Sequence, residues 1–414
     1  VTSPAPTHDV SPWQVALTGM VALAVAMGIG RFAFTPLLPM MLHDGDVDLL
    51  GASWLASANY LGYLVGAMWC TFQPWVWRRL GRHGAVDGPA MVRRGLLVTA
   101  VVTAGMSLHW PWGWPLLRFV AGVASAVVFV YVSGWCVGRL AHMQVPEMGA
   151  LIFIGPGAGI VLSGVFASAF VALDISAAIG WLVFGVLAAV LSARVWKVLA
   201  LGSRAASAAA PQGVAASLEP LARSGNGEIA LLAASYGLAG LGYIVSATFL
   251  PVIARQAIAQ SVWLDLFWPI FGLGIMVGAL IASRIRSASD LRSRLAACYL
   301  LQASGVAVGL AWPSSAGFAI GSFLLGLPMT AITFFALQEV RRVAPHQSVA
   351  LMGLLTAVYG LGQVAGPPLT AAFLERSASL NAGFDQALLV AAGALVLGAL
   401  LYAAMVRLFP VHRR

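Results

Sequence analysis

The sequence predicts an all-α polytopic membrane protein of twelve transmembrane helices, arranged as two six-helix bundles. Three observations lead there. Of 414 residues, 60% are hydrophobic and only 9% charged, and mean hydropathy is +0.90, a composition that would expose far too much hydrocarbon in water. Apolar runs that reach the roughly 20 residues a helix needs to cross a bilayer recur along the chain. The second half also repeats the pattern of the first.

The runs fall at about 13–42, 51–77, 95–110, 114–138, 148–173 and 176–196, then at about 228–254, 262–283, 295–312, 315–337, 348–374 and 384–409. Between the sets, 199–227 is rich in Ala, Ser, Gly and Pro and reads as a cytoplasmic linker joining bundles at 1–198 and 228–414. The net charge of +9 would suggest nucleic acid in a soluble protein, but the placement of the charges gives another cause. Nineteen of the 23 Lys and Arg residues lie in segments on one side of the spans. By the positive-inside rule that side is cytoplasmic, which puts both termini inside a bacterial inner membrane and leaves no nucleic-acid partner to invoke. Cys70, Cys136 and Cys298 are scattered through apolar runs, against a disulfide framework or a metal site. The first run is too long for a signal-peptide core, so no cleavable signal is expected.

Arg31 stands out. It lies in Gly28-Ile29-Gly30-Arg31-Phe32-Ala33-Phe34-Thr35-Pro36, past the middle of the first run, with no acid nearby in sequence. A charge at that depth must face protein or water, so Arg31 is a candidate substrate contact. The alternative is a structural arginine bonded to carbonyls that Pro36 and Pro39 release from the helical ladder. Asn59, in the second run beside Tyr60 and Tyr63, suits either the pathway or an interhelical hydrogen bond. Arg118, near the outer end of the fourth run, either contacts solute or snorkels to the boundary. In the fifth run Gly155-Pro156-Gly157-Ala158-Gly159 reads as a bend or rocking contact.

The repeat ties these positions together. Shifted by 212, Gly28, Gly30 and Pro39 fall on Gly240, Gly242 and Pro251, and Leu61-Gly62 with Val65-Gly66-Ala67 falls on Leu273-Gly274 with Val277-Gly278-Ala279. Shifted by 211, Gly155 and Pro156 fall on Gly366 and Pro367. Each half ends on the side where it began, so the repeats are parallel about an axis along the membrane normal, with solute expected between them near the midplane. Tyr243 takes the place of Arg31 in the second half.

Six plus six spans, a basic loop after the second, Arg118 with Gly122 in the fourth and the G-P-G-x-G of the fifth resemble the major facilitator superfamily. Within it, Gly28 to Pro39 and Trp54 to Tyr63 resemble the bacterial YbfB/YjiJ-like branch. The resemblance implies alternating access. Its fifth-span motif is typical of antiporters, which implies export, and its fourth-span arginine is often linked with proton handling. In the loop motif, Arg79, Gly81 and Arg82 match, while Pro74 and Arg78 replace the usual Gly and Asp. The missing acid puts the usual gating ion pair in doubt, and Asp290 in the second half is the candidate to supply one.

The expected function is transport of a small organic solute by a monomer, through a cavity lined mainly by the first, fourth, seventh and tenth spans. Arg31, Asn59, Arg118, Tyr236, Tyr243, Tyr359 and Gln363 are its candidate contacts. Two buried arginines and no acid in the middle of any span favour an anionic or zwitterionic solute. Gly155, Pro156, Gly157, Gly159, Gly366, Pro367, Arg79 and Arg82 are the candidate conformational residues. Asp265, in the first turn of the eighth span, is the acid placed best for proton coupling, although a helix N-terminus by itself suits a carboxylate there. Proton-linked efflux of amphipathic compounds is an alternative, and a membrane sensor that binds without transport is another. Enzyme chemistry, a metal and a cofactor are not expected, since no His, Cys or acid cluster sits inside the spans.

Overall fold

In lipid a backbone has no water to bond, so long apolar runs resolve into helices whose hydrogen bonds are internal. The computed structural model describes residues 10–79, 86–208, 226–258, 264–285, 290–343 and 348–410, and no strand occurs among them. Nine helical segments among these residues are long and apolar enough to cross a membrane: Pro12–His43, Trp114–His142, Pro146–Ala172, Ala177–Ser203, Gly227–Ala257, Leu264–Arg284, Arg292–Ala311, Ser315–Val343 and Leu380–Leu408. Leu49–Arg79, Gly88–Gly105 and Ser348–Arg376 are three further helices at the places of the second, third and eleventh predicted runs. In chain order these are spans 1 to 12.

Helix starts follow local chemistry. Ser11 and Gln14 form a reciprocal capping box ahead of span 1, with Pro12 in the first turn where its missing N–H costs nothing. Span 3 begins at Gly88, earlier than hydropathy indicates, because Asp87 accepts from Ala90 N at 3.0 Å and Arg93 lies against the Trp196 ring at 5.6 Å. The helix of span 6 continues to Ala208, through the start of the Ala-rich stretch that composition reads as linker. The rest of that stretch, 209–225, lies outside the described residues.

Several spans are interrupted. Span 1 is α-helical over Pro12–Leu23, π-helical over Ala24–Ile29, turns over 30–33 and resumes at Phe34. Span 5 is a 3-10 helix over Pro146–Ile154 and α-helical from Gly155, with Pro156 in its first turn, so the G-P-G-x-G lies where the helix changes type. Span 10 turns at Leu327 and Pro328.

Glycine sets the packing within each half. A Cβ on Gly62 would lie 2.0 Å from Phe119 O, and one on Gly122 2.0 Å from Asn59 O, so spans 2 and 4 meet backbone to backbone. The repeat-equivalent glycines do the same between spans 8 and 10, where Gly274 faces Phe323 O and Gly278 faces Leu327 O. Gly28 packs on Gly159 and Gly240 on Tyr359, pairing spans 1 and 5 as it pairs 7 and 11.

The halves join through span 2 with span 11 and span 5 with span 8. Gly157 of span 5 meets the Gly272 carbonyl of span 8, which places the sequence-predicted contact glycine between the halves. Thr35 Oγ1 donates to Ala247 O at 2.8 Å. These residues are separated by the same 212 positions as the repeat, so their contact lies on the pseudo-two-fold axis, toward the end bearing the acidic loop Asp44 to Asp48. Tyr60 and Thr248 hydroxyls bond at 2.9 Å beside it, and the Phe32 and Trp268 rings meet at 6.1 Å.

A side chain on Gly62 has no room, whereas Gly134 of span 4 faces open space. Gly62→Val should destabilise by ~1–3 kcal/mol or more, read as a fall in melting temperature in detergent. Gly134→Ala should leave that temperature unchanged.

Candidate functional site

The site begins with the break in span 1. The π register pairs Gly30 N with Val25 O at 2.8 Å and Phe32 N with Met27 O at 3.1 Å, so the ladder slips by one residue. Pro36 brings no N–H to close it again. A Cβ on Gly28 would lie 2.3 Å from Gly159 Cα, and only glycine lets span 5 approach the bulge so closely. Arg118 of span 4 serves the loosened carbonyls: its Nη1 donates to Gly30 O at 3.2 Å and its Nη2 to Arg31 O at 3.0 Å. Phe34 and Trp181 cover its guanidinium, with ring centroids at 4.8 and 5.9 Å. Arg118 is 2% exposed, and its guanidinium turns inward to the span 1 carbonyls instead of snorkelling to the boundary. Asn59 points the same way, donating to Arg118 O at 2.9 Å from a fully buried position between spans 2 and 4.

Held by this bulge, the Arg31 side chain turns to the interface between the halves. It is 3% exposed, and no ion pair among the described residues includes it. Its Nη2 donates to Gln363 Oε1 of span 11 at 2.8 Å, and Gln363 Nε2 donates to the Tyr243 hydroxyl of span 7. The Tyr63 ring lies 4.0 Å from the guanidinium carbon, with Phe32 and Tyr60 at 5.2 and 5.3 Å. Such cation–π contacts contribute on the order of 1–2 kcal/mol when desolvated. Arg31 Nε has no hydrogen-bond partner. Tyr359 stacks between Tyr243 at 5.9 Å and Tyr236 at 4.7 Å, and the Tyr236 hydroxyl reaches Thr333 of span 10 at 3.3 Å.

Thus Arg31, Tyr236, Tyr243, Tyr359 and Gln363 come together, whereas Arg118 and Asn59 sit behind span 1 and support it. Sequence reasoning passed over Tyr60 and Tyr63 as site residues, and their spacing of three on one helical face was the signal that could have found them. Gly366 abuts Ile244 of span 7, and span 11 runs on as helix through Pro367 and Pro368. Pro368 leaves Val364 O without its helical donor, and Ser57 Oγ of span 2 supplies one at 3.1 Å.

The ends of the bundle are tied differently. Asp265 lies in a short 3-10 turn and pairs with Arg255, the end of the neighbouring span, rather than serving only as a helix-start acid. Its backbone carbonyl accepts Ser168 Oγ of the other half at 3.1 Å. At the arginine-rich end, Asp290 meets Arg292 through two side-chain bonds, Nε to Oδ1 at 2.9 Å and Nη2 to Oδ2 at 2.8 Å, and also accepts from Arg292 N at 2.9 Å. Arg292 Nη1 continues to Glu228 at 3.0 Å, which also takes Arg342 at 2.7 Å, and Arg342 reaches Glu339 at 2.5 Å. The second half therefore holds the acid that the first-half loop lacks. Arg79 covers the Trp75 ring at 4.4 Å, and Arg82 lies outside the described residues.

Two six-helix repeats around a pseudo-two-fold axis, with a buried polar centre between them, define a membrane carrier of the major facilitator type. The chain belongs to the family described as "Uncharacterised MFS-type transporter YbfB", whose profile matches residues 23–403. It is a secondary transporter rather than an enzyme. Among solved structures it is similar to the nucleoside transporter NupG, at 14% identity and TM-score 0.67 over 97% of this chain and 99% of that one. A point mutant of NupG gives 14% and 0.68 over 94% and 99%, and a D-xylose-proton symporter 14% and 0.69 over 94% and 97%. At that identity the likeness is one of fold. A search of curated protein sequences gave no match.

Burial pushes the Asp290 carboxyl up, but the hydrogen bonds and charge of Arg292, with Arg342 adding to them, outweigh it and hold the group below its ordinary value of 3.8. A carboxyl depressed in the folded state stabilises above its unfolded pKa and loses that contribution as pH falls through the folded one. Asp290→Asn should therefore lower the melting temperature throughout the range from neutral pH to about pH 5, by the equivalent of ~2 kcal/mol. The gap from wild type should close only below the ordinary carboxyl range.

Proposed function

We propose that the protein moves a small organic anion, or a zwitterion bound through its anionic group, by alternating access with Arg31 as the solute's counter-ion. One observation carries this: a guanidinium buried between the halves pairs with a neutral amide of the opposite half instead of a carboxylate. An isolated charge there is costly, and a solute that brings an opposite charge relieves that cost. Tyr63, Tyr236, Tyr243, Tyr359 and Gln363 line the same place. Arg118 and Asn59 act through span 1, as positioning residues.

The arginine-rich end is taken as cytoplasmic, which puts both termini inside the bacterial inner membrane. On that orientation the contacts at Thr35, Tyr60 and Ser168 close the outer end. Export is the favoured direction because Gly155 to Gly159 match an antiporter motif. Proton linkage would act at Asp265, where protonation removes the charge that holds Arg255 and loosens the outer end.

Flux in vesicles, with a solute chosen by thermal-shift screening, tests the assignment. Arg31→Gln should insert normally and lose flux by roughly a hundredfold, and Arg31→Lys should also be impaired because lysine lacks the planar fork. Tyr243→Phe should reduce flux only a few-fold. Normal transport by Arg31→Gln would remove Arg31 as counter-ion. Uphill flux driven by a pH gradient at zero potential and surviving Asp265→Asn would remove Asp265 from coupling.

A further inference from the structure

The guanidinium of Arg31 presents Nη2 and Nε along one edge, the pair of donors that a carboxylate engages side-on. Only half of that edge is in use. Nη2 donates to Gln363 Oε1 at 2.8 Å, and the neighbouring Nε is buried with no partner. Gln363 is itself 1% exposed, and its other amide atom is committed to the Tyr243 hydroxyl. Gln363 and Tyr243 belong to the second half, and Arg31 to the first.

We infer that Gln363 Oε1 occupies the position of one oxygen of the solute's anionic group, and that the amide is a resident substitute that lets the empty carrier close around Arg31. This rests on the reading of Arg31 as a counter-ion and extends it to a defined subsite for a carboxylate or phosphonate. A bound anion places one oxygen on Nη2, displacing the amide, and a second on the vacant Nε. The Gln363 amide then remains with Tyr243. Two routes to a closed outer end follow, one with the solute on Arg31 and one with Gln363 there. The second route returns the empty carrier and makes net transport possible. Without it, closing the empty carrier would bury Arg31 with only the Tyr63 hydroxyl and neighbouring aromatic rings, and no acceptor from the second half, so the protein would be confined to exchanging one anion for another.

Spin labels on Leu108→Cys and Leu380→Cys, exposed at the acidic end of the two halves, read closure in the full-length protein with Cys70, Cys136 and Cys298 replaced by alanine. No solute need be known. In the empty carrier the short-distance population should fall roughly tenfold or more in both Gln363→Leu and Gln363→Ala. Leucine keeps the volume and removes the acceptor. Alanine leaves room for a small anion, so acetate should restore closure in Gln363→Ala while methylammonium chloride should not. Wild-type distances in both variants would overturn the inference, as would loss of closure in Gln363→Ala that acetate and formate leave unrepaired. Failure of the counter-ion reading is separate: it appears as wild-type-like flux in Arg31→Gln.

Discussion

The bonds from Arg118 to the carbonyls of Gly30 and Arg31 are the contact on which the rest of the centre depends. A π bulge in a membrane helix releases backbone acceptors where lipid has nothing to offer, and each must find a donor from the protein. The same requirement is met at other interruptions. Ser57 serves the carbonyl freed by Pro368, and Gln302 of span 9 donates to Leu325 O, just before span 10 turns at Pro328. A neighbouring helix thus completes each of these broken ladders. In span 1 the donor carries a charge, and Asn59 in turn holds the backbone from which that donor projects.

The two halves share a scaffold and differ in chemistry. Repeat-equivalent glycines bring spans 2 and 4 together as they bring 8 and 10, and Thr35 meets its own equivalent, Ala247, on the axis. The charge is one-sided. Arg31 faces Tyr243 and Gln363 across the interface, and the acid-rich network of Glu228, Asp290 and Glu339 belongs to the second half. An asymmetric centre in a symmetric frame accords with the proposal of a solute with one charged end.

Much of the fold was legible in the sequence, because hydropathy, loop arginines and the 212-residue shift each report on the backbone directly. The site was legible only in part. Arg31, Tyr243, Tyr359 and Gln363 stood out as polar groups in apolar runs, and the fold brings them together. Arg118 carried the same signal for a different reason: sequence shows that a charge is buried but not which way the helix turns it, and that depends on a π bulge for which local spacing gives no mark. Tyr60 and Tyr63 were missed because aromatic residues are ordinary in membrane helices until a cation is placed on them. Span 3 was misplaced by several residues because hydropathy discounts Arg93 and Arg94, although Arg93 finds a place against the Trp196 ring.

The central claim is that this carrier recognises negative charge at Arg31. Melting temperatures of purified protein against matched pairs of carboxylic acids and their primary amides, drawn from sugar, amino and aromatic acids, test it most directly. At least one acid should stabilise the wild-type protein in a saturable way while its amide does not, and Arg31→Gln should abolish the difference. Equal stabilisation by acid and amide, or stabilisation by organic cations alone, would contradict the account.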